Sequence, residues 1–248
     1  LTQLAQFGKQ LAVVVAAVRF LHHAWFQGDN ARNGELQFNV TAQHRTCGFS
    51  KLKRGVLGNV LRGRMLGIWG YGRIGQLVAS YGKAFGMQVC VWGSDTSRQK
   101  AESDGHLAAP TKEAFFEQCD VLSIHLRLND ATRGAVTAQD LARMKPTALF
   151  VNTSRAELVE PEALLCALNR GRPGLAAIDV FESEPILQGH ALLRLENCIC
   201  TPHIGYVEQD SYEMYFRAAF ENVVNFVNGQ PSHILNPEVF SGPVRMGR

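Results

Sequence analysis

The chain has 248 residues, which is enough for one large domain or two small ones. Apolar residues make up 46% and charged residues 19%, a balance typical of globular proteins and not of disordered ones. The net charge of +3 is small and scattered, so we expect no nucleic-acid partner, and the basic run of Lys51, Lys53 and Arg54 is typical of a solvated loop.

The first 21 residues carry an apolar run from Leu11 to Val18, followed by Arg19. This run lacks a small-residue cleavage site and is far shorter than a membrane span. It therefore predicts a packed amphipathic helix and no membrane partner. Because the chain begins with Leu1, we expect an upstream portion to be missing. Residues 1–60 are predicted to form this helix and a long irregular linker.

Six cysteines occur, at positions 47, 90, 119, 166, 198 and 200. They form no CxxC pair, and four lie in or beside apolar runs. This pattern favours buried thiols in a reducing, cytoplasmic compartment over a disulfide framework. We expect no metal site, although Cys198 and Cys200 would face the same side of a strand.

From residue 65 onward, short apolar runs alternate with helical patterns. Strands are expected at 65–69, 87–92, 106–109, 121–126, 148–152, 175–180 and 198–201. Helices are expected at 73–85, 96–104, 111–118, 137–144, 160–170 and 208–228. Apolar runs without strict alternation predict strands that are covered on both faces. The fold class is therefore α/β, a doubly wound (Rossmann) parallel sheet with helices on both faces, spanning residues 61–229.

The first of these strands ends in the motif Gly70-x-Gly72-x-x-Gly75. Gly70 permits a tight turn, Gly72 permits a pyrophosphate to approach the backbone, and Gly75 permits the helix to pack closely on the sheet. The N–H groups of Arg73 and Ile74 would then point at a phosphate. The motif follows a strand and opens a helix, which predicts a dinucleotide site.

The position that normally reads the adenosine ribose is Gly93, which has no carboxylate. Asp95 lies two residues further on, and Arg98 is near enough to meet a 2′-phosphate. NAD and NADP both remain open at this point.

Three further motifs follow in a fixed order: TALFVNTSRAELVE (147–160), AAIDVFESEP (176–185) and CTPHIGY (200–206). With the glycine motif, they give residues 61 to about 238 a clear resemblance to the D-isomer-specific 2-hydroxyacid dehydrogenases. The resemblance implies an oxidoreductase that interconverts a small 2-hydroxy acid and a 2-oxo acid with a nicotinamide cofactor, NAD or NADP.

The family's catalytic residues fall on Arg155, Glu184 and His203. A guanidinium can grip a 2-oxo acid at two points. An imidazole can donate or accept a proton near neutral pH, and a carboxylate bonded to it fixes its tautomer. Asp179 matches the residue that meets the nicotinamide amide. The resemblance implies further cofactor contacts at Ser94, Leu126, Thr132, Thr153, Ser154 and Gly205. The remaining histidines at 22, 23, 44, 190 and 233 have no such context.

Several features depart from the family pattern. Ala156 replaces a glycine, and Arg127 replaces the proline of a His-x-Pro-x-Thr motif. The family pattern leads us to expect a substrate domain of about a hundred residues before residue 1, which this sequence lacks. Residues 28–54 resemble nothing in the segment that usually connects to the first strand in the family. Residues 230–248 look like a segment that returns to that domain.

Because of these departures, two alternatives to the enzyme hypothesis remain. The chain could be a cofactor-binding scaffold or sensor without turnover, or a truncated product in which residues 28–54 are not native. The family's pairing of nucleotide-binding domains, together with the apolar first helix, predicts a homodimer.

Overall fold

The computed structural model describes residues 60–240. The predicted first helix, most of the linker and the last eight residues lie outside this range. The described residues divide into two compact units, and the boundary in the chain lies between Tyr206 and Val207.

The first unit is built on a seven-stranded parallel sheet in the order β3-β2-β1-β4-β5-β6-β7. Its strands are β1 (Met65–Trp69), β2 (Gln88–Trp92), β3 (Leu107–Ala108), β4 (Val121–Ile124), β5 (Leu149–Asn152), β6 (Leu175–Ile178) and β7 (Cys198–Cys200). The connecting helices are α1 (Arg73–Ala84), α2 (Asp95–Ser103), α3 (Lys112–Gln118), α4 (Ala138–Arg143) and α5 (Ala163–Asn169). The predicted Rossmann fold is confirmed.

The core lies on both faces of the sheet, because alternate side chains of β1 point in opposite directions. Leu66 and Ile68 pack in one cluster with Val78 of α1. Trp69 joins the other cluster and contacts Phe116 of α3 edge to face, with ring centroids 5.8 Å apart. Helices therefore cover both faces, and the strands are buried as the apolar runs predicted.

Polar side chains cap the N-termini of several helices. Ser94 accepts a hydrogen bond from Ser97 N–H at the start of α2, and Thr111 accepts one from Ala114 N–H at the start of α3. Because these caps satisfy N–H groups that the helix leaves unpaired, they fix where each helix starts.

The predicted helix over 160–170 was wrong at its start. The observed α5 begins at Ala163, after Glu162, whose φ of 60° is left-handed. The proline at 161 therefore precedes the helix, and Glu160 accepts a hydrogen bond from Ala138 N–H instead of entering it.

The second unit contains one long helix, α6 (Gln209–Val227), and a 3-10 turn (Pro237–Phe240). Several large apolar side chains of α6 are exposed. Within residues 60–240, no helix combines the length and the apolar character needed to cross a bilayer.

Candidate active site

Residues from four separate motifs meet at one edge of the sheet. Since all seven strands are parallel, their carboxyl ends lie together, and Gly70, Thr153, Asp179 and Thr201 follow β1, β5, β6 and β7 there. The chain order reverses between β1 and β4, and in open α/β sheets ligands bind in the crevice at such a point.

The three glycines of the turn after β1 differ in the space around them. A side chain on Gly70, whose φ is +100°, would place Cβ 2.7 Å from the His125 carbonyl oxygen. A side chain on Gly75 would place it 2.2 Å from the Gly70 carbonyl oxygen. Around Gly72 nothing lies within 4 Å. Gly70 and Gly75 are therefore needed by the fold, whereas the space at Gly72 is open to a ligand.

This turn leads directly into α1, whose first turn has no acidic residue and no side-chain cap. The N–H groups that begin a helix lack partners within it and carry partial positive charge. The N–H groups of Arg73 and Ile74 are among them. Open space at Gly72 and uncapped N–H groups beside it fit the pyrophosphate of a dinucleotide.

A cleft of about 620 Å³ opens at this turn. It is lined by Gly72, Arg73, Ile74, His125, Leu126, Arg127, Leu128, Thr153, Ser154 and Arg155. Seven of these positions belong to the predicted site. Three arginines among them give the cleft a positive charge, which suits phosphate and carboxylate groups.

The cleft is also lined by His125, Arg127 and Leu128, which were not predicted from the sequence as site residues. His125 directly follows β4, so its place at the sheet edge could have identified it. Burial lowers the pKa of His125 to about 4, and its Nε2 lies 2.9 Å from Ser123 Oγ. This imidazole is therefore neutral at physiological pH, and the arginines supply the charge.

Two of the predicted cofactor residues are engaged in local turns outside this cleft. Ser94 caps α2, as described above. The Thr132 hydroxyl donates to the Arg127 carbonyl oxygen over 2.7 Å and accepts from Asn129 N–H. Their contact with a cofactor stays a prediction.

The loop that carries Arg155 is organised by the buried side chain of Asn152. Its amide nitrogen donates to the Arg155 carbonyl oxygen over 2.8 Å, and its oxygen accepts from Ser154 N–H over 3.0 Å. Ser154 Oγ in turn donates to the Ile124 carbonyl oxygen over 2.8 Å. The loop is thus fixed on β4 and β5 while the side chain of Arg155 is exposed.

The side chains of His203 and Glu184 are in direct contact at this edge. The His203 Nδ1 atom lies 2.6 Å from Glu184 Oε2. The other oxygen, Glu184 Oε1, accepts from Phe181 N–H over 3.0 Å. Because both carboxylate oxygens are engaged, the carboxylate has one orientation, and Nε2 is left as the ring nitrogen that can exchange a proton with a ligand.

The pKa of Glu184 is lowered by its neighbours. Burial acts to raise this pKa, but the hydrogen bonds from Phe181 N–H and His203 and the charges of His203 and Arg155 together outweigh it. The stabilisation that Glu184 contributes is therefore present above its ordinary pKa and is lost as the pH falls through the lowered value. Arg155 thus acts electrostatically on the same carboxylate as His203.

Asp179 holds the loop on which His203 lies. One of its carboxylate oxygens accepts from the Thr201 hydroxyl over 2.5 Å and from Ile204 N–H over 2.9 Å. The other accepts from Gly205 N–H over 2.9 Å. A carboxylate can accept about four hydrogen bonds, so Asp179 could accept one more. Its contact with a nicotinamide amide stays a prediction.

A parallel sheet in this strand order, with an open glycine turn at its reversal point, defines a dinucleotide-binding Rossmann domain. The family model described as D-isomer specific 2-hydroxyacid dehydrogenase, NAD binding domain, matches residues 34–205. The chain belongs to this family and carries its NAD-binding domain.

Solved structures and a curated relative support this assignment. A protein assigned as a D-3-phosphoglycerate dehydrogenase oxidoreductase from Ralstonia solanacearum is 64% identical, with a TM-score of 0.70 over 75% of this chain and 54% of that one. A phosphoglycerate oxidoreductase from Vibrio cholerae is 48% identical, with a TM-score of 0.71 over 91% of this chain and 67% of that one. The glyoxylate reductase of Aeropyrum pernix is 39% identical over 185 residues, which are 74% of this chain and 55% of that protein. The chain thus spans about half the length of this curated relative.

The family match corrects one expectation. It begins at residue 34, so the expectation that residues 28–54 resemble nothing in the family was wrong for 34–54. The hypothesis that this segment is not native loses its support over the same residues.

The glycine turn yields a paired prediction about stability. We expect Gly75→Ala to lower the free energy of unfolding by about 1–3 kcal/mol, because its Cβ would overlap the Gly70 carbonyl oxygen. Gly72→Ala, with open space at the same Cβ position, should change it by less than about 0.5 kcal/mol. Urea denaturation followed by circular dichroism measures both. Equal destabilisation by the two substitutions would contradict this account of the turn.

Proposed function

We propose that this chain supplies the cofactor domain and the catalytic side chains of an oxidoreductase that interconverts a small 2-oxo acid and the corresponding 2-hydroxy acid. The observation that carries the proposal is the 2.6 Å contact between His203 and Glu184 at the sheet edge that also bears Arg155 and the open glycine turn. A scaffold or sensor without turnover has no chemical need for a histidine oriented by a carboxylate.

Each side chain has a distinct role in this reaction. The Arg155 guanidinium binds the carboxylate of the acid and polarises its 2-oxo group. A bound nicotinamide cofactor supplies the hydride that C2 accepts. His203 donates a proton from Nε2 to the carbonyl oxygen and takes it back in the reverse direction. Glu184 holds the imidazole through Nδ1 and stabilises its charged form.

The choice of first substrates follows from the relatives. The curated relative from Aeropyrum pernix is a glyoxylate reductase, so glyoxylate is the first acid to test, with hydroxypyruvate and pyruvate beside it. The positive charge of the cleft suits the carboxylate that all three acids carry.

We expect His203→Gln to lower turnover by a factor on the order of 10² to 10⁴, the usual contribution of a positioned general acid. The measurement is the fall in absorbance of the reduced nicotinamide cofactor while the full-length protein that contains this chain reduces glyoxylate. His233→Gln is the matched control, because this exposed histidine lies in the second unit and pairs with Asn222. Full activity of the His203→Gln protein would show that the proton comes from another group.

We also propose that the protein forms a homodimer. Exposed apolar side chains on α6 support an association surface, and Tyr212, Phe216 and Phe220 stack along this helix with centroids 6.0 and 6.4 Å apart. Phe216 and Phe220 are 57% and 66% exposed, which is unusual for phenylalanine. Light scattering at micromolar concentration should give twice the mass of the chain, and the double variant Phe216→Glu/Phe220→Glu should lower it. A monodisperse wild-type monomer would contradict the proposal.

A cytoplasmic location is part of the same proposal. Cys90 and Cys119 are free cysteines that are buried in the first unit. Buried thiols of this kind support a reducing compartment, which cell fractionation can test.

A further inference from the structure

An ion pair between Asp95 and Arg98 lies just after β2, where dinucleotide-binding domains usually have a single carboxylate. In dinucleotide-binding domains an acid at the end of this strand accepts a hydrogen bond from the adenosine 2′-hydroxyl. Here that position is Gly93. Two residues further on, Asp95 opens α2, and its Oδ1 accepts a hydrogen bond from Arg98 Nη2 one helical turn later.

Arg98 is fixed in place on three sides. Its guanidinium carbon lies 5.1 Å from the centroid of the Trp92 ring, and Nη1 donates to the Ala109 carbonyl oxygen over 3.4 Å. Nε is buried and has no hydrogen-bond partner among the described residues. Within residues 60–240, Asp95 is the only carboxylate that pairs with this guanidinium.

Asp95 is far more accessible than its partner. Its side chain is 81% exposed, whereas that of Arg98 is 28% exposed. An ion pair between the two orients the carboxylate while leaving much of it in solvent. The neighbouring hydroxyl of Ser94 is already occupied, because it caps α2 and bonds to Ser97 Oγ over 3.1 Å.

We propose that the Asp95–Arg98 pair takes the place of the absent acid at position 93 and selects NAD over NADP. The inference rests on the proposed function, since it concerns the cofactor of the same site. Asp95 supplies the acceptor for a 2′-hydroxyl, and Arg98 orients Asp95.

The discrimination against NADP follows from charge. A 2′-phosphate carries close to two negative charges, and it would meet the exposed carboxylate of Asp95. Arg98, the cation that could attract this phosphate, is already neutralised by Asp95. Without Asp95, the guanidinium would keep only its long bond to Ala109 and would have donors free for a phosphate.

The test is an equilibrium titration of the 248-residue chain with NADH and with NADPH at fixed ionic strength. We expect the wild type to bind NADH about tenfold or more tightly than NADPH. Asp95→Asn should tighten NADPH binding on the order of tenfold or more, because a charge-assisted hydrogen bond becomes available, and should weaken NADH binding a few-fold. Added salt should reduce the wild-type preference.

Three control variants accompany this test. Glu102→Gln removes the same charge from the exposed last turn of α2 and should leave both affinities unchanged. The double variant Asp95→Asn/Arg98→Ala should lose the gain in NADPH affinity. Gly72→Val, which fills the open space of the glycine turn, should abolish binding of both cofactors.

Each result has a separate meaning. A wild type that prefers NADPH, or equal effects of Asp95→Asn and Glu102→Gln, would overturn the role of the pair and leave the proposed function standing. A wild type that binds neither cofactor would overturn the proposed function and this inference with it.

Discussion

The candidate site depends on the carboxylate of Asp179. Buried at the end of β6, it accepts three hydrogen bonds from the loop after β7 and so determines the path of that loop. His203 lies inside this loop with a left-handed φ of 53°, a backbone conformation that is costly for a residue other than glycine. The three bonds to Asp179, together with the hydrogen bond from His203 N–H to the Thr201 carbonyl oxygen, hold the loop in the conformation that places Nδ1 of the histidine against Glu184.

The same construction is repeated one strand away. Asn152, buried at the end of β5, bonds to the backbone of residues 154 and 155 and fixes the loop that carries Arg155. In both loops a polar side chain at the end of a strand fixes the backbone, while the catalytic candidate projects from it. The loop of Arg155 follows β5 and the loop of His203 follows β7, and both strands are hydrogen-bonded to β6, so the sheet holds the two loops near each other, as a reaction between bound groups requires.

The sequence predicted the sheet well because its strands are buried on both faces and appear as uninterrupted apolar runs. Because parallel strands place their carboxyl ends at one edge, the sequence also led us to expect Arg155, Glu184 and His203 in one site; the contact between His203 and Glu184 supports this, and the catalytic role of the three stays a prediction. The start of α5 was mispredicted because Pro161 is favourable at the start of a helix, and only tertiary contacts, such as the bond from Ala138 N–H to Glu160, decide otherwise. The role of Asn152 could not be derived from spacing, because its hydrogen bonds to Ser154 N–H and to the Arg155 carbonyl oxygen depend on the conformation of the loop after β5.

The measurement that tests this account most directly is the pKa of the Glu184 carboxyl group, followed by carbon-13 NMR during a pH titration of the wild type and of Asp179→Asn. In the wild type this pKa should lie below its ordinary value, because His203 and the Phe181 N–H stabilise the charged form. In the variant an amide cannot accept all three bonds, so the His203 loop should move and burial should raise the pKa of Glu184. A Glu184 pKa that is the same in both proteins would contradict the claim that Asp179 holds His203 in place.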